Sequence, residues 1–423
     1  LIGGQPGAPS HIPVSFCIAE ARVEIIRDPL WNNIRVDGLA LRLVDTPVFQ
    51  RLRYIRQVGL AHLVYPGATH TRFEHALGAY HLCKRVLSMF RERGDLEGIT
   101  DEECTVTYLA ALLHDVGHYP FSHALEEIGA VHHEQVAHPL LTGGEIGDLL
   151  RTHVAADAPE RIFALIRGTS TSPLQGLISG SLDLDKIEYL NRDAHACGVP
   201  YGDVDADRLM NSLALVRDPD SGVKTIGVLE KGLSALESLL FAKYQMYRNV
   251  YWHHAVRSAT SMYKRLVEDA WRSRAVTNET LAQFTDEGLL YHLQQHAPSP
   301  LLEGIRNRRL YKRVAQWPAS ELDEFGEWIA SDRARTRAAE DAIAGKLGLV
   351  PGEVLLDYPE KTQMLGLDIP VIRRDGTVLR LTGKGLTGAI DLPRVSHELY
   401  QSARWLRILA VRQMDVPGQT ALS

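Results

Sequence analysis

The sequence predicts a mainly α-helical protein, a helical core followed by a smaller mixed α/β C-terminal region. Three observations carry that expectation. Thr71-Arg72-Phe73-Glu74 has the T-x-x-E form of a capping box and opens the proline-free stretch "HALGAYHLCKRVLSMF". Val106, Leu109, Ala110 and Leu113 recur at i, i+3, i+4 and i+7, the spacing of a buried helical stripe. Strand signals, by contrast, are short: "VEIIRDPLWNNIRV" near the start and "IPVIRRDGTVLRLTG", with its Asp375-Gly376 turn, near the end.

Taken in order, residues 1–22 are rich in Gly and Pro and are expected to form an arm. In "VEIIRDPLWNNIRV", β-branched runs around a proline and an Asn-Asn break predict a small hairpin. The capping box, in which each side chain satisfies a free backbone N–H, starts a helix there and places His75 in its first turn. The 106–113 stripe is ended by Gly117 and Pro120, so His114 and Asp115 fall at a helix C-terminus. Another helix is expected over about 182–195, and one long helix over about 229–271. Past residue 275 come charged helical segments, "ELDEFGEWIASDRARTRAAEDAIAGKLG", and then the hairpin at Asp375-Gly376. The expected organisation is an arm over 1–22, a core over 23–275 and an α/β region over 276–423, without internal repeats.

Composition excludes several classes. With 423 residues, 45% of them hydrophobic and 23% charged, the chain can bury a large core. A net charge of −6 with no block of like charges gives no support to general nucleic-acid binding, so any phosphate chemistry must be local. Cys17, Cys83, Cys104 and Cys197 are scattered without CxxC spacing, which argues against a zinc ribbon or a disulfide framework and suits a reducing cytosol. No apolar run approaches about 20 residues, and the opening lacks the basic lead and apolar stretch of a secretory signal. A soluble, cytoplasmic protein with no membrane partner is expected.

The stretch "ALLHDVGHYPFSH" crowds His114, Asp115, His118 and His123 together. A divalent cation needs several donors converging on one point, and adjacent His114 and Asp115 supply two of them only if the backbone turns, as Gly117 would allow. Imidazole and carboxylate without thiolate suit manganese, iron, cobalt, nickel or magnesium better than a structural zinc. Taken alone, a single His-Asp dipeptide is more often a surface hydrogen-bonded pair. "HTRFEH" adds His75, and "VHHEQ" adds His132 and His133. Asp185, Tyr189 and Asp193, at i, i+4 and i+8, share one helical face.

The ordered set "DTPVFQRLRYIRQ", "YPGATHTRFEHALG", "LLHDVGHYPFSHALE", "HHEQ" and "DLDKIEYLNRDAHACG" resembles the HD-domain phosphohydrolase superfamily. Within it, the set is most similar to the deoxynucleoside triphosphate triphosphohydrolases, including the vertebrate SAM-and-HD-domain type, without the SAM domain. The resemblance spans about residues 24–265. It implies metal ligands at His75, His114, Asp115 and Asp185, which would leave positions open for water and a phosphate oxygen. It implies that His118, His123 and His133 surround the phosphates, that one of them donates a proton to the leaving group, and that Asp193 orients such a histidine. Arg72 and Lys186 match cationic substrate contacts, and Gln57 and Tyr189 match positions that meet the sugar, with Tyr189 packing where a 2′-hydroxyl would project. Lys243, Tyr247 and Tyr251 also match substrate positions, although the family usually has arginine and histidine where Lys243 and Tyr247 stand. Read as a pattern alone, these three form either a ligand-facing stripe or a core stripe with a snorkelling lysine. Asp45, Gln50 and Arg53 match residues that hold a guanine nucleotide activator, in a segment equally open to a structural role. Glu24 and His254 replace lysines of that activator site.

The expected activity is therefore metal-dependent hydrolysis of a dNTP to deoxynucleoside and tripolyphosphate, by a homo-oligomer. The rivals are another hydrolase of the superfamily, acting on a nucleoside monophosphate, a signalling nucleotide or an oligonucleotide, and a nucleotide-binding regulator without turnover.

Overall fold

In the computed structural model, β1 (Val23–Asp28) and β2 (Asn32–Asp37) pair antiparallel, with Ile26 opposite Ile34. The described residues are 23–322, 326–359, 368–381 and 392–414; the expected arm over 1–22, Cys17 and the last two residues of "IPVIRRDGTVLRLTG" lie outside them. Asp28 shapes the hairpin turn, accepting from the N–H groups of Leu30 and Trp31 at 2.9 and 2.7 Å. Asn32, at φ 63°, takes the left-handed position that asparagine tolerates. Ile34 and Val36 are fully buried and fasten the hairpin to the helices.

Helix α1 (Arg72–Arg93) starts at the capping box, where the Glu74 carboxylate accepts from both the N–H and the hydroxyl of Thr71. It packs on α2 (Asp101–Leu113), which has a capping box of its own at Thr100 and Glu103. His114 caps the C-terminal end of α2. The backbone turns over 114–117 as expected, and Gly117 matters there for proximity rather than for a left-handed φ. Its φ is not positive, and a Cβ there would lie 2.2 Å from the carbonyl oxygen of His133. Helix α3 (Leu184–Cys197) begins with Asp183 accepting the Lys186 N–H at 2.9 Å and ends at Gly198, φ 66°.

The long helix expected over 229–271 is broken. Strands β3 (Leu213–Arg217) and β4 (Lys224–Leu229) form a hairpin, α4 runs from Leu233 to Met246, and α5 runs from His254 to Arg272. Between the two helices a π turn spans Tyr247–Tyr251, closed by the Trp252 N–H on the Tyr247 carbonyl at 2.8 Å. The reason is aromatic packing. Tyr247 meets Tyr251 and Trp252 edge-on, with centroids 4.9 and 5.1 Å apart, and His253 turns extended to cap α5. None of these residues is a helix breaker, so apolar periodicity ran through them.

Beyond α5 come α6 (Asp286–His296), β5 (Lys312–Pro318), α7 (Arg333–Lys346), β6 (Val354–Asp357), β7 (Ile369–Ile372), β8 (Val378–Leu381) and β9 (Trp405–Ala410). The hairpin at Gly376, φ 84°, is β7–β8, and β7 joins β4 in parallel to give the order β3-β4-β7-β8. A second sheet, β5-β9-β6, is antiparallel. Leu355 of β6 and Leu409 of β9 share a core with Met262 and Leu266 of α5, which ties this sheet to the helices. The fold is mainly helical with small sheets, as the sequence predicts, and no described helix is long and apolar enough to cross a membrane.

Candidate active site

Three helix ends meet at one point. The first turn of α1 brings Arg72 and His75, the end of α2 brings His114 and Asp115, and the first turn of α3 brings Asp185. The Nε2 atoms of His75 and His114 are 3.2 Å apart. Asp185 Oδ1 lies 3.0 and 3.6 Å from them, and the Asp115 oxygens lie 3.5 and 3.4 Å from them.

The chemistry of this meeting follows from the far side of each ring. His75 Nδ1 faces Glu188 Oε2 at 2.5 Å, and His114 Nδ1 faces the Ala111 carbonyl at 2.8 Å. Both partners only accept, so each Nδ1 carries the proton and each neutral Nε2 presents a lone pair. Two lone pairs and two carboxylates then point at one another, an arrangement that only positive charge stabilises. Donors about 2.1 Å from a shared cation sit about 3.0–3.4 Å apart, close to the separations here. Without such a cation the histidines must hold extra protons. Burial pushes His75 down, but Glu188, Asp185 and Asp115 outweigh it and carry the ring up to about 10. His114 is raised in the same way, against burial, by Asp115 and Asp185. The two carboxyls are held well below the usual range despite burial, Asp115 chiefly by Arg72 and Asp185 by the two histidines. The donor set fits a divalent cation of the imidazole- and oxygen-binding kind.

A cavity of about 880 Å³ opens from this point, lined among others by His114, Asp115 and Asp185, within the size range of ligand sites. Arg72 lies on its wall, buried, donating to Asp115 Oδ2 at 2.7 Å and to Ser122 Oγ at 3.1 Å. His118, His123 and His133 also line it. His118 stacks on His133 with centroids 3.8 Å apart, and its buried ring nitrogens have no hydrogen-bond partner; Nε2 comes within 3.0 Å of Asp115 Oδ1 but out of alignment. Burial, Arg72 and His133 keep His118 well below its ordinary value, so it is neutral at physiological pH. Glu126, which sequence reasoning passed over, accepts from His133 Nδ1 at 2.7 Å and from His123 Nδ1 at 3.2 Å. Against burial, those two histidines hold its carboxyl far below the ordinary range. It sits three residues after His123, on the same side of a tight 3₁₀ turn, and that spacing was its only sequence signal.

Asp193 bonds to a histidine other than the three expected. Its Oδ1 is 2.7 Å from His70 Nε2, and its Oδ2 accepts from the Tyr251 hydroxyl at 2.6 Å. The reason is register: Asp193 lies two turns along α3 from Asp185. Gln57, Tyr189, Tyr247 and Tyr251 line the same cavity, and Gln57 Oε1 is buried without a partner. Burial first, and neighbouring phenols and carboxylates after it, push the three phenols up, Tyr247 to about 12, so all remain donors. Lys186 lines the cavity and pairs with Asp183, whereas Lys243 is not among the lining residues. Burial and then Lys186 lower Lys243 to about 8. Asp45, Gln50 and Arg53 lie away from the cavity; Arg53 donates to Gln50 Oε1 at 2.7 Å and stacks on Phe73.

Glu188 is the second residue that sequence reasoning missed. Fully buried, it accepts from His75, from Trp31 Nε1 at 3.0 Å and from Arg192, which in turn binds Asp28 of the hairpin. A glutamate on the inner face of α3, three residues after Asp185, was the available signal.

The chain is similar to known proteins in sequence and in fold. The HD domain family matches residues 72–169, and the HD associated region family matches 204–384. An uncharacterized protein of Methanocaldococcus jannaschii, MJ1154, is 34% identical over 312 residues, 73% of this chain and 63% of its own length. The deoxynucleoside triphosphate triphosphohydrolase SAMHD1 homolog of Dictyostelium discoideum is 29% identical over 360 residues, 79% of this chain and 66% of its own. The crystal structure of a phosphohydrolase from Bacteroides thetaiotaomicron superimposes with a TM-score of 0.70 at 26% identity, covering 92% of this chain and all of that one. The chain spans less than two thirds of the length of these two curated relatives. Its matches to the HD domain and the HD associated region make the chain similar to the HD superfamily. Within that superfamily it resembles the SAMHD1-type enzymes.

Proposed function

We propose that the chain is a metal-dependent phosphohydrolase that converts a dNTP and water to deoxynucleoside and tripolyphosphate. The observation that carries this reading is the meeting of His75, His114, Asp115 and Asp185 lone pairs at the wall of a cavity that also holds Arg72, Lys186 and three histidines. Those four residues would hold the cation, which when bound supplies a Lewis acid for a phosphoryl oxygen and for water. Arg72 and Lys186 offset phosphate charge, and Lys243, which interacts with Lys186, adds to the field. Neutral His118 hydrogen-bonds a phosphate oxygen through a nitrogen that has no protein partner. His123, exposed on the cavity and held by Glu126 together with His133, is the donor to the leaving oxygen. Gln57 and Asp193 take the sugar hydroxyl, and Tyr189, Tyr247 and Tyr251 enclose the ring.

The same reading takes manganese, iron, magnesium, cobalt or nickel as the ion and a guanine nucleotide at Asp45, Gln50 and Arg53 as activator, in a cytoplasmic homo-oligomer. The test is to incubate the protein with each dNTP and NTP plus manganese, with and without GTP, and separate products by ion exchange. Tripolyphosphate and deoxynucleoside are expected. Stepwise release of orthophosphate would overturn the reaction assigned, and ribonucleotide turnover at equal rate would overturn the substrate.

A further inference from the structure

Asp286 is the first residue of α6, far in sequence from every group described so far, and almost wholly buried. An acidic residue there ordinarily faces the free N–H groups of its own helix. Asp286 instead reaches across to two other segments. Its Oδ1 accepts the Phe121 N–H at 2.7 Å, and its Oδ2 accepts the Arg56 N–H at 3.0 Å. Phe121 and the next residue, Ser122, have φ of 57° and 64°. Two consecutive non-glycine residues in the left-handed region are costly and persist only where the surroundings hold them.

What that turn positions is the cavity wall. Ser122 Oγ lies 2.8 Å from the Arg56 carbonyl and accepts from Arg72 Nε at 3.1 Å, and Arg72 in turn holds Asp115. His123 follows immediately. From the same side, Arg51 bridges the carbonyls of His118 and Phe284 with one Nη2, at 2.8 and 2.7 Å. Burial raises the Asp286 carboxyl to about 6 against the pull of the Arg56 and Phe121 N–H groups, so the site keeps a carboxylate where burial disfavours one.

We infer that Asp286 is a positioning residue for the reaction: by holding the Phe121–Ser122 turn it sets the direction of Arg72 and the placement of His123 on the cavity. The inference rests on the phosphohydrolase reading, but the experiment separates the two. Asp286→Ala and Asp286→Asn are compared with the wild type by hydrogen exchange, by manganese binding and by kcat and KM with the best dNTP. Expected are at least a tenfold faster exchange of the Phe121 amide in Asp286→Ala, manganese affinity within about threefold of wild type, and kcat per metal-loaded site down by about tenfold or more. Asp286→Asn, which keeps one accepting oxygen, should fall between. Unchanged exchange at Phe121, or full kcat per metal-loaded site in Asp286→Ala, would overturn the inference. Should the wild type hydrolyse no nucleotide, the functional reading fails, while the exchange result still decides whether Asp286 holds the turn.

Discussion

Two buried clusters of charge in this molecule use the same residue types to opposite ends. Asp357, on β6, is fully buried and accepts from Arg257 at 2.9 and 2.7 Å and from Arg407 at 3.1 Å, while Arg257 also grips both Glu127 oxygens at 2.9 Å. There every carboxylate faces cations. At the meeting of α1, α2 and α3, the His75 and His114 lone pairs face carboxylate oxygens, and the His118 ring nitrogens and Gln57 Oε1 have no hydrogen-bond partner. Buried polar groups are satisfied as a rule, so three unpartnered atoms on the lining of one cavity, both His118 ring nitrogens and Gln57 Oε1, mark a place that something else can complete. The Asp357 cluster joins the β5-β9-β6 sheet to α5, and the other carries the proposed chemistry.

Breaking each cluster should therefore give opposite results. His114→Ala, the largest effect, should bring hydrolysis to background and remove the metal while circular dichroism and the melting temperature stay near wild type, since little core volume is lost. Asp357→Ala should do the reverse: it leaves two guanidiniums buried with one partner fewer, costing about 3–5 kcal/mol in chemical denaturation while activity per folded molecule is kept. Loss of activity in step with folding in both variants would erase the distinction. Glu126→Gln, which loosens His123 and His133 without touching a metal donor, should lower kcat about 10- to 100-fold with metal content unchanged. Tyr189→Ala should narrow the ratio of dNTP to NTP turnover, and a ratio equal to wild type in side-by-side assays would reject its sugar-facing role.

The smallest effect lies in pH. Against burial, Arg257 holds the carboxyls of both Glu127 and Asp357 below the ordinary carboxylate range. A depressed folded value means the stabilisation is complete above the unfolded value, about 4, and is lost as pH falls below it. Asp357→Asn should therefore flatten the acid side of the stability curve, whereas parallel acid limbs would contradict this linkage.

Much of the site was legible because its residues stand on strong local signals. The Thr71–Glu74 capping box fixed where α1 starts and so where His75 points, and Leu113 as the last stripe residue fixed the end of α2 under His114 and Asp115. What escaped reading depends on contacts between distant segments. Glu188, Glu126 and His70 gain their roles only from the ring or carboxylate they meet, and Asp286 only from a turn on the other side of the cavity. The break at Tyr247–Trp252 comes from ring packing that helix periodicity does not register, and the parallel β4–β7 pairing joins two short apolar runs with no local cue to their partnership.

The central claim is that imidazoles from two different helices share one cation. Protein stripped with a chelator and loaded with manganese should show, by pulsed electron paramagnetic resonance, couplings to two imidazole nitrogens, reduced to one or lost in His114→Ala. Manganese bound without imidazole coupling, or a spectrum that His114→Ala leaves unaltered, would contradict the account.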